Sequence, residues 1–142
     1  MPLVQRFTQV FGALFALIGV AGFIPPLLMG SLPEVMGPLA GLLLGLFAVN
    51  WFHSAAHLLF GVLGLAVYRN YSLSKVYALV FGIAYVVLFL LGIFSGGVAT
   101  LGGLLPLNSL DNILHIVTAL IALGAYFSAV QAERRETTQP RA

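Results

Sequence analysis

Cysteine is absent from this chain of 142 residues, and its absence removes several kinds of chemistry. Without a thiol the protein has no disulfide, no thiolate metal site, no cysteine nucleophile and no site for palmitoylation. The sequence also lacks a glycine-rich phosphate loop and a dinucleotide fingerprint. These absences exclude the common thiol enzymes and nucleotide-binding enzymes, while the redox state of the compartment stays open.

Charged residues are scarce. They make up 7% of the chain, and hydrophobic residues make up 61%, whereas a soluble domain carries about 25% charged residues. The formal net charge of +2 is too small to indicate a nucleic-acid-binding protein. We therefore expect an integral membrane protein that contacts the lipid bilayer and has no nucleic-acid partner.

Four apolar runs fill almost the whole chain, and each approaches the roughly 20 residues that cross a bilayer as a helix. The first run is longer than the apolar core of a signal peptide, and no cleavage site follows it. The predicted fold class is therefore all-α, a four-transmembrane-helix bundle that forms one integral membrane domain over residues 1–142. The predicted helices cover about residues 7–24, 45–68, 73–94 and 110–130, and a polar cytoplasmic tail follows at 131–142.

Polar residues mark two of the helix edges. Ser31 stands three positions before Glu34, which is the pattern of a capping box and predicts a short helix ahead of the second span. Asn108 and Asp111 have the same spacing ahead of the fourth span. Glycines at four-residue spacing predict a helix-packing ridge: Gly37, Gly41 and Gly45.

The basic residues are distributed on one side only. In a four-span chain, the N-terminus, the loop at 69–75 and the C-terminus share a side, and the other two loops carry the acids Glu34 and Asp111. The positive-inside rule then places both termini in the cytoplasm, in an inner (cytoplasmic) or thylakoid-type membrane. All six basic residues lie on that side: Arg6, Arg69, Lys75, Arg134, Arg135 and Arg141.

The two halves of the chain resemble each other. The letters "VFG" open both 10–23 and 80–93, and later "NWFH" at 50–53 resembles "NILH" at 112–115. These landmarks predict a tandem duplication of a two-helix hairpin, with the halves related by an axis along the membrane normal.

The same alignment makes a prediction for the histidines. It places His53 on His115 and His57 on Ala119, so His57 is not required to build a hairpin. An imidazole deep in the membrane needs a partner. We therefore expect His57, more than the other two histidines, to contact a cofactor or a neighbouring subunit.

Polar side chains share one face of each of these two spans. At 100° per residue, Asn50, His53 and His57 fall on one stripe, and Asp111 and His115 fall on another. An unsatisfied polar group in hydrocarbon costs several kcal/mol, so both stripes should face protein or a ligand. Three residues are then assigned to polar packing: Asn50, Asp111 and Asn112.

Three roles for the histidines stay open. They hydrogen-bond to one another or to neighbouring groups and act in packing only. Alternatively, His57, His53 and His115 are candidate axial ligands of a tetrapyrrole, haem or chlorophyll. A zinc site completed by Asp111 is the third role, but helix capping is a simpler use of that carboxylate. The sequence therefore assigns no metal site.

The segments "VNWFHSAAHLLFGVLGLA" and "LPLNSLDNILHIVTALIALG" resemble a bacterial family of four-helix membrane proteins, a domain of unknown function with the number four-three-eight-three. The resemblance covers about residues 7–130. It implies a four-span fold and no particular activity. It also implies that the following residues are motif positions: Asn50, His53, His57, Asp111, Asn112 and His115.

Catalytic groups are few. Ser54 and its neighbour His53 do not form a serine–histidine catalytic pair, because adjacent residues point apart on a helix. We therefore expect a protein that is not an enzyme: a small structural or accessory subunit of a membrane complex, packed against other membrane subunits or its own copies. The alternative is a tetrapyrrole-binding membrane subunit, for instance of a photosynthetic complex, with chlorophyll or haem as its cofactor.

The orientation is testable with reporter fusions. A periplasm-active reporter should be silent at the C-terminus and active when inserted within 97–106, because the basic residues retain their side of the membrane in the cytoplasm. A periplasmic signal from the C-terminal fusion would contradict this orientation.

Overall fold

The computed structural model describes residues 1–95 and 98–138. Arg141 and the last residues of the predicted tail lie outside these ranges. The described part is an all-α bundle, as predicted. Its four helices are α1 (Leu3–Ala21), α2 (Trp51–Val67), α3 (Tyr71–Phe94) and α4 (Ser109–Thr138).

The helices differ in length. By length and composition, α1, α3 and α4 are long and apolar enough to cross a membrane. Helix α2 has 17 residues, which corresponds to about 25 Å. The predicted second span began at Gly45 but the helix begins at Trp51, so that edge of the prediction was wrong. The chain is a membrane protein in which one helix is shorter than the other three.

Short strands precede both α2 and α4. Strands β1 (Leu28–Met29), β2 (Gly41–Leu43) and β3 (Phe47–Val49) form an antiparallel sheet in the order β1-β2-β3. Strands β4 (Ala99–Thr100) and β5 (Leu105–Pro106) form a second antiparallel pair. These two segments cover the same end of the bundle.

The glycine ridge predicted before α2 is therefore not helical. Gly41 lies in β2, and Gly37 and Gly45 have φ angles of 74° and 75°. This left-handed conformation favours glycine, and it places both residues at turns. The four-residue spacing serves turns and a strand instead of a helix–helix contact.

The short helix predicted from Ser31 and Glu34 is reduced to a single 3-10 turn at Glu34–Met36, and no side chain caps it. Gly37 follows with a positive φ, a conformation that ends a helix. At the other end of the chain, α4 continues to Thr138, beyond the predicted end at residue 130. Glutamine, glutamate, alanine and arginine favour helix, so the polar segment extends the helix past the apolar run.

The helices associate as two hairpins, α1 with α2 and α3 with α4. Glycines allow α1 and α2 to approach backbone to backbone. A Cβ atom on Gly61 would collide with the backbone of Ala16, and one on Gly12 would lie 2.8 Å from the nitrogen of Leu65. Between the hairpins, aromatic side chains of α1 and α3 form the core, including Phe15, which is 1% exposed.

The two hairpins repeat the same helix starts. Asn50 caps α2 by accepting a hydrogen bond from the backbone nitrogen of His53. Asn108 accepts the corresponding bond from the backbone nitrogen of Asp111 at the start of α4. The counterpart of Asn50 is therefore Asn108 rather than Asn112.

The ring contacts give the same register. Phe15 packs edge-on against His57 with ring centroids 5.1 Å apart, and Tyr85 packs edge-on against His115, also at 5.1 Å. His57 therefore corresponds to His115, and His53 corresponds to Asp111. The alignment that placed His53 on His115 was wrong by one helical turn.

Close packing of α1 on α2 generates a stability prediction. Gly61→Ala should lower the free energy of unfolding by about 1–3 kcal/mol, because the added methyl group would meet the backbone of Ala16. Gly124→Ala is the matched control, since nothing lies within 4 Å of its added Cβ. Unfolding in detergent, followed by circular dichroism, measures both. Equal stability of the two variants would contradict the packing.

Candidate functional site

Asn50 connects the start of α2 to both strand-containing segments, the one that precedes α2 and the one that precedes α4. Its side-chain oxygen accepts from the nitrogen of His53 at 2.9 Å. Its amide nitrogen donates to the carbonyl of Met36 at 2.8 Å and also lies within hydrogen-bond distance of the carbonyls of Gly103 and Leu104. The side chain is buried, so one amide satisfies backbone groups of α2 and of both segments that cover this end of the bundle.

Asp111 performs a similar role at the start of α4. Its Oδ2 accepts from the backbone nitrogen of Asn108 at 2.8 Å and from that of Ala48 at 3.0 Å. The two residues bond reciprocally, because the side-chain oxygen of Asn108 accepts a hydrogen bond from the backbone nitrogen of Asp111. The predicted cap is therefore formed, and the carboxylate also holds β3 against α4.

The three histidines of the sequence meet in one cluster, which we call the histidine cluster: His53, His57 and His115. Each offers a ring nitrogen, and these three atoms lie within 4.8 Å of one another. The side chains are 2%, 6% and 1% exposed. Two come from α2 and one from α4, so the cluster joins the two hairpins.

The ring nitrogens of the cluster have few hydrogen-bond partners. The Nδ1 atom of His53 lies 3.0 Å from the carbonyl of Ala48, so Nδ1 carries the proton and Nε2 keeps a lone pair. The carbonyl of Pro106 also lies near this ring, without a hydrogen bond to Nε2. Within residues 1–95 and 98–138, His53 Nε2 and the Nδ1 atoms of His57 and His115 have no partner.

Such unpartnered atoms are costly. A buried polar group without a hydrogen bond destabilises a protein by roughly 1–3 kcal/mol, and the cluster contains three of them. Phe15 and Tyr85 cover the rings of His57 and His115, which increases the apolar character of the surroundings. The site therefore concentrates unpartnered ring nitrogens among apolar and aromatic side chains.

Three converging neutral imidazoles are a metal-binding arrangement. Zinc–nitrogen bonds are about 2.0–2.1 Å, so nitrogens that share one ion lie closer together than the widest spacing in the cluster. A contraction on the order of 1 Å is needed before all three nitrogens bind one ion. The Ala48 carbonyl that orients His53 is the kind of outer partner that metal-binding histidines use.

The remaining predicted residues lie beside the histidine cluster. Asp111 is held by backbone groups and is absent from the cluster, so it does not supply the fourth zinc ligand. Asn112 of α4 packs against Gly92 of α3. In the same way, Ser54 of α2 packs against Gly22 at the end of α1. Both polar side chains therefore occupy space created by a glycine on the facing helix.

Several contributors were not predicted. Ala48 acts through its backbone, which no sequence pattern reveals, and it contacts both His53 and Asp111. Phe15 and Tyr85 were detectable, because they align with each other in the repeated segments, but this similarity gave no information about the rings they cover.

A family model described as "Domain of unknown function (DUF4383)" matches residues 5–128. No curated protein and no solved structure matches the chain.

The hydrogen bonds of Asp111 make a prediction. Asp111→Asn should lower the free energy of unfolding by about 1–2 kcal/mol, because a neutral amide oxygen accepts from the backbone N–H groups of Ala48 and Asn108 more weakly than a carboxylate oxygen does. Glu34→Gln, the exposed acid on the same side, is the control and should change stability little. Thermal unfolding in detergent compares them. A loss in Glu34→Gln as large as in Asp111→Asn would contradict this role.

Proposed function

The chain belongs to the DUF4383 family, and we propose that it binds a transition-metal ion inside the membrane as a small, non-enzymatic protein. One observation carries this proposal: every histidine in the sequence contributes to the histidine cluster. The four-residue spacing of His53 and His57 puts both on one face of α2, and His115 from the other hairpin brings a third ring nitrogen within 4.8 Å of theirs.

Packing alone is a weaker explanation of the cluster. Histidines that act as polar contacts between helices should hydrogen-bond across the gap, whereas one nitrogen of each ring has no such partner in the described residues. A metal ion would give a ring nitrogen of each of the three histidines a partner at once. The free energy of binding also offsets the cost of burying them.

The ligand set limits the type of ion. Imidazole suits zinc, copper, iron and nickel, whereas magnesium and calcium prefer oxygen ligands. The chain has no cysteine, and no described carboxylate joins the cluster. We take Zn²⁺ as the reference ion for the site.

The ion has a cohesive role in this proposal. It connects His57 of α2 to His115 of α4 and so holds the two hairpins together, which suits a structural or accessory subunit of a membrane complex. We further propose that both termini are cytoplasmic, in an inner or thylakoid-type membrane, because the basic residues lie on one side. The histidine cluster then lies toward the outer face.

A tetrapyrrole is the second candidate ligand. A cavity beside His57 and His53 favours it, because an axial imidazole needs open space on the ligand side. Its volume of about 310 Å³ would hold only part of such a macrocycle. Protein purified from its native membrane separates the candidates, since a tetrapyrrole gives a Soret or red absorption band and Zn²⁺ gives none.

The metal proposal predicts stoichiometric binding. Protein purified through a histidine-free tag, stripped with chelator and titrated with Zn²⁺, should bind about one ion per chain. His53→Ala, His57→Ala and His115→Ala should each weaken binding by at least about tenfold, because each removes one of three ligands. Elemental analysis and competition with a chromogenic chelator measure these values.

Ser54→Ala is the matched control, since Ser54 lies on the same helix, is buried, and also lacks a hydrogen-bond partner in the described part of the chain. Its affinity for Zn²⁺ should stay unchanged. A wild-type protein that binds no zinc, copper, iron or nickel ion would overturn the proposal.

A further inference from the structure

A cavity opens beside the histidine cluster, between α2 and α3, with a volume of about 310 Å³. We call it the α2–α3 slot. Small-molecule sites span about 300–1,000 Å³, so the slot accommodates a molecule at the small end of that range. Its lining includes His53, His57, Phe60, Ala84, Tyr85 and Leu88.

The slot leads from the lipid-facing surface to the imidazoles. Val87, on its rim, is 48% exposed, and Ala84 is half-buried. His53 and His57, by contrast, are buried. A molecule that enters between the two hairpins from the bilayer therefore ends at the histidine cluster.

The lining also disfavours charged molecules. No described charged side chain borders the slot, and transfer of an ion into such surroundings is strongly unfavourable. The two histidines are the polar side chains that an entering molecule meets at the buried end, apart from the phenol of Tyr85. The slot therefore suits an uncharged, largely apolar molecule.

A metal ion held by three histidines keeps a further coordination position. We infer that the α2–α3 slot admits a small uncharged ligand from the bilayer to that position, and that the ligand carries an apolar body and one lone-pair donor atom. The inference rests on the metal site proposed above. Binding forms a coordinate bond and breaks no covalent bond, so no co-reactant is needed.

The experiment uses the full chain loaded with Co²⁺, whose visible absorption reports its ligands, and two probes. Pyridine is uncharged and apolar, with one donor nitrogen, whereas azide is an anion. Pyridine should shift the Co²⁺ bands in a saturable manner, and azide at the same concentration should not.

Ala84→Leu fills the slot and should raise the apparent Kd for pyridine about tenfold or more, because its added carbons occupy the ligand's volume. Its Co²⁺ stoichiometry should stay at the wild-type value. Ala66→Leu, at an exposed position of α2, is the matched control and should leave both values unchanged.

The outcomes separate the two proposals. If the chain binds no Co²⁺, Zn²⁺ or other imidazole-preferring ion, the metal site fails and this inference fails with it. If Co²⁺ binds but pyridine leaves its spectrum unchanged, or azide binds as well as pyridine, only the ligand inference is overturned. It is also overturned if Ala84→Leu, at full Co²⁺ occupancy, binds pyridine like the wild type.

Discussion

The peptide group of Ala48 is the contact on which the strand-containing end of the bundle depends. Its N–H donates to Asp111 of α4, and its carbonyl accepts from the ring of His53 on α2. In hydrocarbon an unsatisfied peptide group costs several kcal/mol, so irregular backbone at this depth requires such partners. The same two bonds fix where β3 lies, hold it against both hairpins and orient one imidazole of the histidine cluster.

The histidine cluster is therefore part of a larger buried polar region. Asn50 donates hydrogen bonds to backbone carbonyls of both strand-containing segments. Asp111 accepts hydrogen bonds from backbone N–H groups. These residues complete their hydrogen bonds within the chain, whereas each histidine retains a nitrogen without a described partner. The contrast with Asn50 and Asp111 supports the proposal that a ligand binds at the histidines rather than along the whole polar stripe.

Apolar runs were sufficient to predict four helices and an all-α bundle, because each run matches the thickness of a bilayer. They did not locate the start of α2, since "GLLLGLFAV" is equally apolar as a helix or as the strands β2 and β3. Helical periodicity also failed to fix the repeat. A slip of four residues turns a side chain by only about 40°, so Asn108 and Asn112 both fit the same face. The capping bonds and the ring contacts in the structure distinguish them. The slot was not predictable, because helical periodicity does not show how closely α2 packs against α3, which belongs to the other hairpin.

The division of the histidine cluster between the hairpins has a consequence for biogenesis. Two of its residues belong to α2, and His115 belongs to α4, which follows α2 and α3 in the chain and therefore leaves the ribosome after them. A nascent chain that has inserted only its first hairpin thus has two of the three nitrogens, and they are insufficient to retain an ion firmly. At the proposed metal site, all three histidines would hold an ion only in chains whose two hairpins have both been inserted and packed together.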